Sequence, residues 1–518
     1  MASSLPELWT RGVALNPAAP SDVLLRLLDP AAGTARRLLC EERDLPADVA
    51  GAVAAHPEAA VRRAFARNPH VDPARLRPLA DDPSSLVRGS LAGGPRPRTR
   101  RVRPLPDDIL ESLLTARDSG GDGMLSANEI VQELIASRQI PHSFRRTWPA
   151  HENPVLRELS TGMWHWLGPG QRDVLLADPD PDVRAAARAR TRESDPAAVE
   201  ADLPGFNGHG RAWVFSTCAL NRALVETGLT EGRQYSLAVN PHTPADVVAR
   251  LARVDDPEVR ERVAARADIG PALLAELAQD PDEAVRLRAR VQPLPRTWAQ
   301  CGAVDRVFGA CAVGCTCPIT EPFAEPDLDW YRACAVSPEP VLRRVAASLS
   351  LLPDDLVPRL AEDPDPEVRH RLACHHPLAP PALLLETFLA RPVHRPHLLT
   401  LPRLPRTGLG HLLDHADPDV RALAAADPTL ARPPVRLLAD PEERVRRAAA
   451  AHPVFSGEAL AALLDDPRTA EGAAANPSLP AARMHGLLDL GGLPGPGGLP
   501  GLSGLPGGSR PPSGPGRS

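Results

Sequence analysis

Four of the eight cysteines, Cys301, Cys311, Cys315 and Cys317, fall within 17 residues, CGAVDRVFGACAVGCTC. Thiolates converging from one short segment are what a structural zinc or an iron–sulfur cluster needs, because several soft ligands must meet on one small centre. The spacing contains no Cys-x-x-Cys pair, and Cys315-x-Cys317 is an awkward pair of ligands. The structural alternative is that these cysteines are small apolar fillers in a loop between helices. A second grouping, Cys374-His375-His376, ends the helical pattern EVRHRLACHH and reads as capping and packing.

A second candidate site lies between PDDILESLLTAR and IVQELIASR, two helical patterns joined by a Gly-rich loop. Asp118, Asp122, Ser126 and Glu129 occupy positions one, five, nine and twelve of that loop, with Gly123 at six and Leu125 at eight. The loop resembles an EF-hand, and the resemblance implies a calcium ion held by those four residues. Position three is Gly120, which supplies no ligand, and no second such loop is present to pair with it. Without calcium, Ser126 and Glu129 would form a capping box for the second helix, with Gly and Asp supplying a turn.

The charge pattern limits the partners. All 59 basic residues are Arg, yet the net charge is −6. A nucleic-acid binder is expected to carry a strongly basic domain or face. The local exception, PRPRTRRVRP from Pro95 to Pro104, has no interleaved aromatics to stack on bases. It reads as an extended linker. The lack of Lys with abundant Ala, Arg, Pro and Gly is what a GC-rich, bacterial coding sequence produces.

The remaining chain is dominated by a recurring module, Asp-Pro, a few residues, then Val-Arg, followed by a Pro-containing turn. Copies run from Asp178-Pro179 to Arg184, Asp256-Pro257 to Arg260, Asp280-Pro281 to Arg286, Asp363-Pro364 to Arg369, Asp417-Pro418 to Arg421 and Asp440-Pro441 to Arg446. Looser copies are His56-Pro57 to Arg62 and Asp82-Pro83 to Arg88. The closest neighbouring arginines are 25 or 26 residues apart, and two of the longer gaps, 52 and 76, are near-multiples of that interval. In NPHTPADVVARLARVDDPEVRERVAARA, Val247, Val248 and Leu251 give one short helix an apolar face. Asp256 then caps a second helix, Pro257 presets its first turn, and Val259 and Val263 recur at helical spacing. One such pair is too small to bury a core of its own, so neighbours must stack.

This pattern, N-P-x-T-P followed by D-P-x-x-V-R, resembles the variant leucine-rich repeat family and, secondarily, HEAT-like repeats. The resemblance spans roughly Asn16 to Leu490 and implies an all-α fold, a right-handed α-solenoid of short helix pairs. The expected divisions are helical repeats over 1–94, an Arg-rich linker and helix–loop–helix insertion over 95–170, and repeats over 171–296. A Cys-rich loop over 297–330, repeats over 331–485 and a disordered Gly/Pro-rich tail over 486–518 complete them. Stacking would align the module arginines, which then either form a basic stripe or pair with Asp and carbonyl groups of neighbouring modules. The pairing is the expectation.

No nucleophile elbow, phosphate-binding Gly loop or H-E-x-x-H is present, so no enzyme activity is expected. No resident cofactor is expected beyond the zinc, iron–sulfur and calcium readings above. No apolar run is long enough to cross a membrane and the N-terminus is not a signal peptide, which points to the cytoplasm. The expected function is a scaffold that binds a protein partner along an extended solenoid surface. The alternatives are a metal- or redox-responsive protein working through Cys301–Cys317 and, more remotely, a HEAT-like DNA-repair protein with a basic groove, Trp and a catalytic Asp, which the net charge of −6 and the scattered Trp148, Trp164 and Trp166 do not favour.

Overall fold

The computed structural model describes residues 3–96, 103–116, 124–291, 297–308 and 326–495. Among them the chain is helical throughout and contains no strand; most helices are two or three turns long. Their starts are written locally. Asp180, Asp195, Asp256, Asp365 and Asp417 each accept the N–H two residues on, and each is followed by a proline at the first helical position. The carboxylate satisfies a donor that the helix leaves open, and the proline has no N–H to lose there.

The chain divides into two compact units. One comprises Met1–Thr99, Asp118–Ile130 and Phe388–Ser518, the other Arg100–Arg117 and Val131–Thr387. In the second unit, Gln234–Val239, Pro257–Ala264 and Glu283–Val291 pack one on the next. Phe215, Leu237, Val247, Val259, Val263 and Val285 are buried between them and their neighbours.

In the first unit the corresponding series runs through the chain ends. Pro418–Ala425, Glu443–Ala450 and Ala470–Ala474 pack in order, and the next helix in line is Leu5–Leu15, followed by Thr34–Glu42, Ala59–Ala66 and Ser85–Gly93. The join is made in the same way as the steps on either side of it. A Cβ at Gly472 would lie 2.2 Å from the Arg447 carbonyl oxygen, and one at Gly12 would lie 2.2 Å from that of Glu471. Both helices approach so closely only because these residues are glycine. Glu471, itself buried, bridges Arg447 and Arg11 at 2.9 and 2.8 Å.

Side chains of the turns stitch each module to the one before it. Asn68 Nδ2 donates to the carbonyls of Cys40 and Arg43, and Asn240 to those of Phe215 and Cys218. Asn476 donates to Ala450, His452 and Phe455. Asn16 does the same across the join, to Ala474 and Asn476 at 2.9 and 2.7 Å. In each case Oδ1 accepts the N–H two residues on, which holds the turn. Arg43 and Arg266 take over the task by donating to Asn16 and Asn240 in turn.

Residues 1–94 and the later part of 331–485 belong to one compact unit. Helix Pro154–Ser160, placed within the 95–170 insertion by sequence, carries a complete module contact through Arg157. The expected tail begins too early: Ala481–Leu490 is helical and Leu493 is buried. Residues 496–518, like most of the Arg-rich linker, lie outside the described residues.

Gly12→Val is expected to lower the thermal unfolding midpoint of the full chain by several degrees, because either the helices separate or backbone must shift. Gly51→Ala, with nothing within 4 Å of the added carbon, serves as the control. It should leave the midpoint unchanged or raise it by the equivalent of about 0.5–1 kcal/mol. Equal effects would refute the close-approach argument.

Candidate functional site

The arginines that close each module were the principal candidates for a binding stripe, and the structure gives them internal partners. Arg62 donates through Nε and Nη2 to both oxygens of Asp82 at 2.6 and 2.8 Å. Arg260 does so to Asp280 at 2.8 and 2.9 Å, and Arg421 to Asp440 at 2.8 and 3.0 Å. Two further arginines, outside the Asp-Pro to Val-Arg pattern, make the same fork: Arg157 to Asp178 at 2.7 and 2.9 Å and Arg343 to Asp363 at 2.7 and 3.1 Å. In the modules at Asn153-Pro154 and Glu339-Pro340, Leu precedes the Arg in place of Val, so the Val-Arg pattern does not extend to them.

Each fork is part of a longer relay. Nη1 of the same arginine holds carbonyls five and six residues back, Val254 and Asp255 for Arg260 at 2.8 Å each. The receiving aspartate uses Oδ1 to accept the N–H two residues on, as Asp280 does from Asp282. Its backbone carbonyl accepts the next module's arginine: Asp82 from Arg88, Asp178 from Arg184, Asp280 from Arg286, Asp363 from Arg369 and Asp440 from Arg446. In the first Asp-Pro of DPDP, therefore, Asp178 and Asp363 bridge modules, while the second aspartates, Asp180 and Asp365, cap the helix. In modules whose first position is not Asp, the ring nitrogens of His56, His151 and His415 and the hydroxyl of Ser337 accept the same N–H.

The hydrogen-bonded guanidinium holds the carboxyls of Asp178, Asp280 and Asp440 below their ordinary values and raises its own affinity for the proton. A depressed carboxyl contributes stability that is complete above its unfolded value, about 4, and is lost as pH falls through the lower folded value.

The cysteine candidate is placed only in part. Cys301 lies in helix Trp298–Phe308, fully buried, and Cys311, Cys315 and Cys317 lie outside the described residues. One turn beyond Cys301 on the same helix is Asp305, also buried, 2.7 Å from Arg288, which has no exposed surface. Arg288 stacks over Phe308 at 4.2 Å and stands 3.5 Å from Glu261. Burial pushes Arg288 down and Asp305 up, each towards its neutral form. Sequence reasoning missed this pair. A signal existed: Arg288 is three residues after Val285 and one before Ala289, on the face that the helix buries.

Of the calcium candidates, Asp118 and Asp122 lie outside the described residues. Ser126 and Glu129 form the capping box: Ser126 N–H donates to the Glu129 carboxylate at 2.8 Å and Glu129 N–H to Ser126 Oγ at 3.2 Å. The Ser126 N–H, together with the Ser126 hydroxyl that also donates to the carboxylate at 2.8 Å, holds the Glu129 carboxyl below its usual range. Trp148 and Trp164 are buried in packed helices, with Arg172 over the Trp164 ring at 5.7 Å. The described helices include none long and apolar enough to cross a membrane. Compared with known protein families and with curated proteins, the chain matches no family model and no curated sequence.

Two outcomes follow from these ion pairs. Arg260→Ala is expected to cost about 3–5 kcal/mol in urea unfolding at neutral pH, because Asp280 is left buried and charged. The loss should shrink below about pH 4, where that carboxyl can take a proton; a loss independent of pH would exclude the ion pair as its cause. Asp305→Ala should be similarly costly, whereas Arg288→Met with Asp305→Leu should be close to neutral. A double variant as unstable as the single one would show that the pair has a role beyond mutual neutralisation.

Proposed function

We propose that the chain is a non-enzymatic α-solenoid scaffold of the kind its modules resemble, variant leucine-rich or HEAT-like, holding a protein partner in the cytoplasm. The observation that carries this reading is the internal use of the module arginines. Ten of them, five forks and five carbonyl clamps, make contacts inside the frame, so the recurring charge is structural. What the modules leave outward is their turn edges, and these carry large exposed apolar side chains: Leu351 and Leu378 in one unit, Val454 in the other. Such edges suit a protein partner better than a phosphate backbone, whose binders derive their affinity from unengaged cations. The buried positions of Trp148 and Trp164 speak against the repair reading in the same way.

Leu351→Glu with Leu378→Glu is expected to abolish co-purification of one stoichiometric protein partner with the tagged full chain, without moving its unfolding midpoint. The chain should show no retention on DNA or RNA at low salt. Nucleic-acid binding that weakens steeply as salt rises would overturn the proposal.

A further inference from the structure

The arginines of helices Thr34–Glu42 and Ala59–Ala66 mostly have a carboxylate of their own: Arg36 is held by Glu58, Arg37 by Glu41 and Arg62 by Asp82. Arg63 and Arg67 break that rule. They stand one turn apart, Arg67 at the C-terminal end of its helix, and neither meets a carboxylate at ion-pair distance among the described residues. Arg344 and Arg447, which like Arg63 directly follow a module arginine, meet Asp365 and Glu471. Arg63 Nε instead donates to the neutral hydroxyl of Ser90, on helix Ser85–Gly93, at 3.2 Å.

A third guanidinium is brought to the same place. Gly94 ends helix Ser85–Gly93 with φ +75°, a conformation that favours glycine, and the chain turns so that Arg96 N–H donates to the Arg67 carbonyl at 2.8 Å. Arg63 and Arg67 are half-buried and Arg96 is exposed. Burial, and behind it the charges of Arg63 and Arg96, push the Arg67 guanidinium below its ordinary value, while Glu41, already paired with Arg37, opposes them. The carbonyls at a helix end favour a nearby cation. Three like charges gathered there also repel one another, a cost that a bound anion would remove.

We propose that Arg63, Arg67 and Arg96 form a site for the phosphate dianion of a phosphorylated side chain on a protein partner. The charge count favours phosphate over a carboxylate. In this chain a single carboxylate is satisfied by one forked guanidinium, as Asp82 is by Arg62, or by two, as Glu471 is by Arg447 and Arg11. A phosphate monoester carries about two charges and three strongly accepting oxygens, which suits a cluster of three. One compact cluster also fits a single phosphate better than a nucleic-acid strand, whose binders spread their cations over many successive phosphates. That a protein carries the phosphate rests on the scaffold reading; the cluster itself does not.

The test titrates the full chain with a short peptide, phosphoserine flanked on each side by alanines, and with the same peptide carrying serine. The phosphopeptide should bind one to one, at least about tenfold more tightly than the serine peptide, and should raise the unfolding midpoint as its concentration rises. Arg67→Gln should weaken that binding at least about tenfold. It should leave the midpoint of the free chain unchanged or raise it, because a like charge is removed, whereas loss of a merely structural arginine would lower it. Arg96→Gln, at an exposed position outside the helices, reads the same loss should Arg67→Gln not fold. Arg290→Gln, an exposed arginine of helix Glu283–Val291, should change neither quantity. The proposal is overturned if the phosphopeptide binds no more tightly than the serine peptide, if binding survives either substitution in a folded chain, or if a single-stranded oligonucleotide displaces the phosphopeptide at equal concentration. Failure of the phosphopeptide to bind while the protein partner still co-purifies would overturn this site and leave the scaffold reading in place.

Discussion

The forked bond between an arginine of one module and an aspartate some twenty residues on is the contact from which the rest of the frame follows. A guanidinium presents parallel N–H groups that match both oxygens of a carboxylate, and a lysine ammonium does not. The same arginine holds the turn that begins its own helix, and the same aspartate holds the next turn. One pair therefore sets the distance between modules and the start of two helices. With aspartates such as Asp82 and Asp280 nearly excluded from water, the cost of leaving one unpaired is large. That cost makes the register between modules specific, where alanine-rich packing alone would tolerate a slip.

A second layer of bonds, from Asn16, Asn68, Asn240 and Asn476, addresses a different need. Short helices expose carbonyls at every C-terminal end, and a buried carbonyl without a donor is costly. Each asparagine amide caps the end of the preceding module while its oxygen shapes its own turn. At Arg43 and Arg266 a guanidinium reaches the same carbonyls with a longer stem, so the position is defined by the acceptors it meets and not by one residue type. The helices at the two ends of the chain satisfy each other by this rule, through Asn16, Gly12 and Glu471.

The proposed scaffold role rests on what this bonding leaves over. Arginines aligned by stacking would read as a basic stripe in the sequence alone, yet their hydrogen bonds point inward. Arg26 departs from the module pattern altogether, and its buried place beside Leu493 and Pro494 is what sets the chain's last described residues apart from an ordinary helix end.

Much of the local structure was legible in the sequence. Asp256-Pro257 as a helix start, the apolar faces of Val247, Val248, Val259 and Val263, and the capping box of Ser126 and Glu129 all depend on residues within four positions of one another. Such bonds form wherever the chain folds locally, so type and spacing suffice to read them. The expectation that module arginines pair with Asp and carbonyl groups was readable in kind, though not which Asp-Pro bridges and which caps, because a carboxylate twenty residues away is indistinguishable by sequence from the one that caps the helix. Only the tertiary structure decided the rest: that Asn16 meets Ala474, that Arg26 meets Pro494, and that Arg288 and Asp305 share a buried pair. These contacts join parts of the chain by packing, and a hydrophobic pattern states that a face is buried without stating against what.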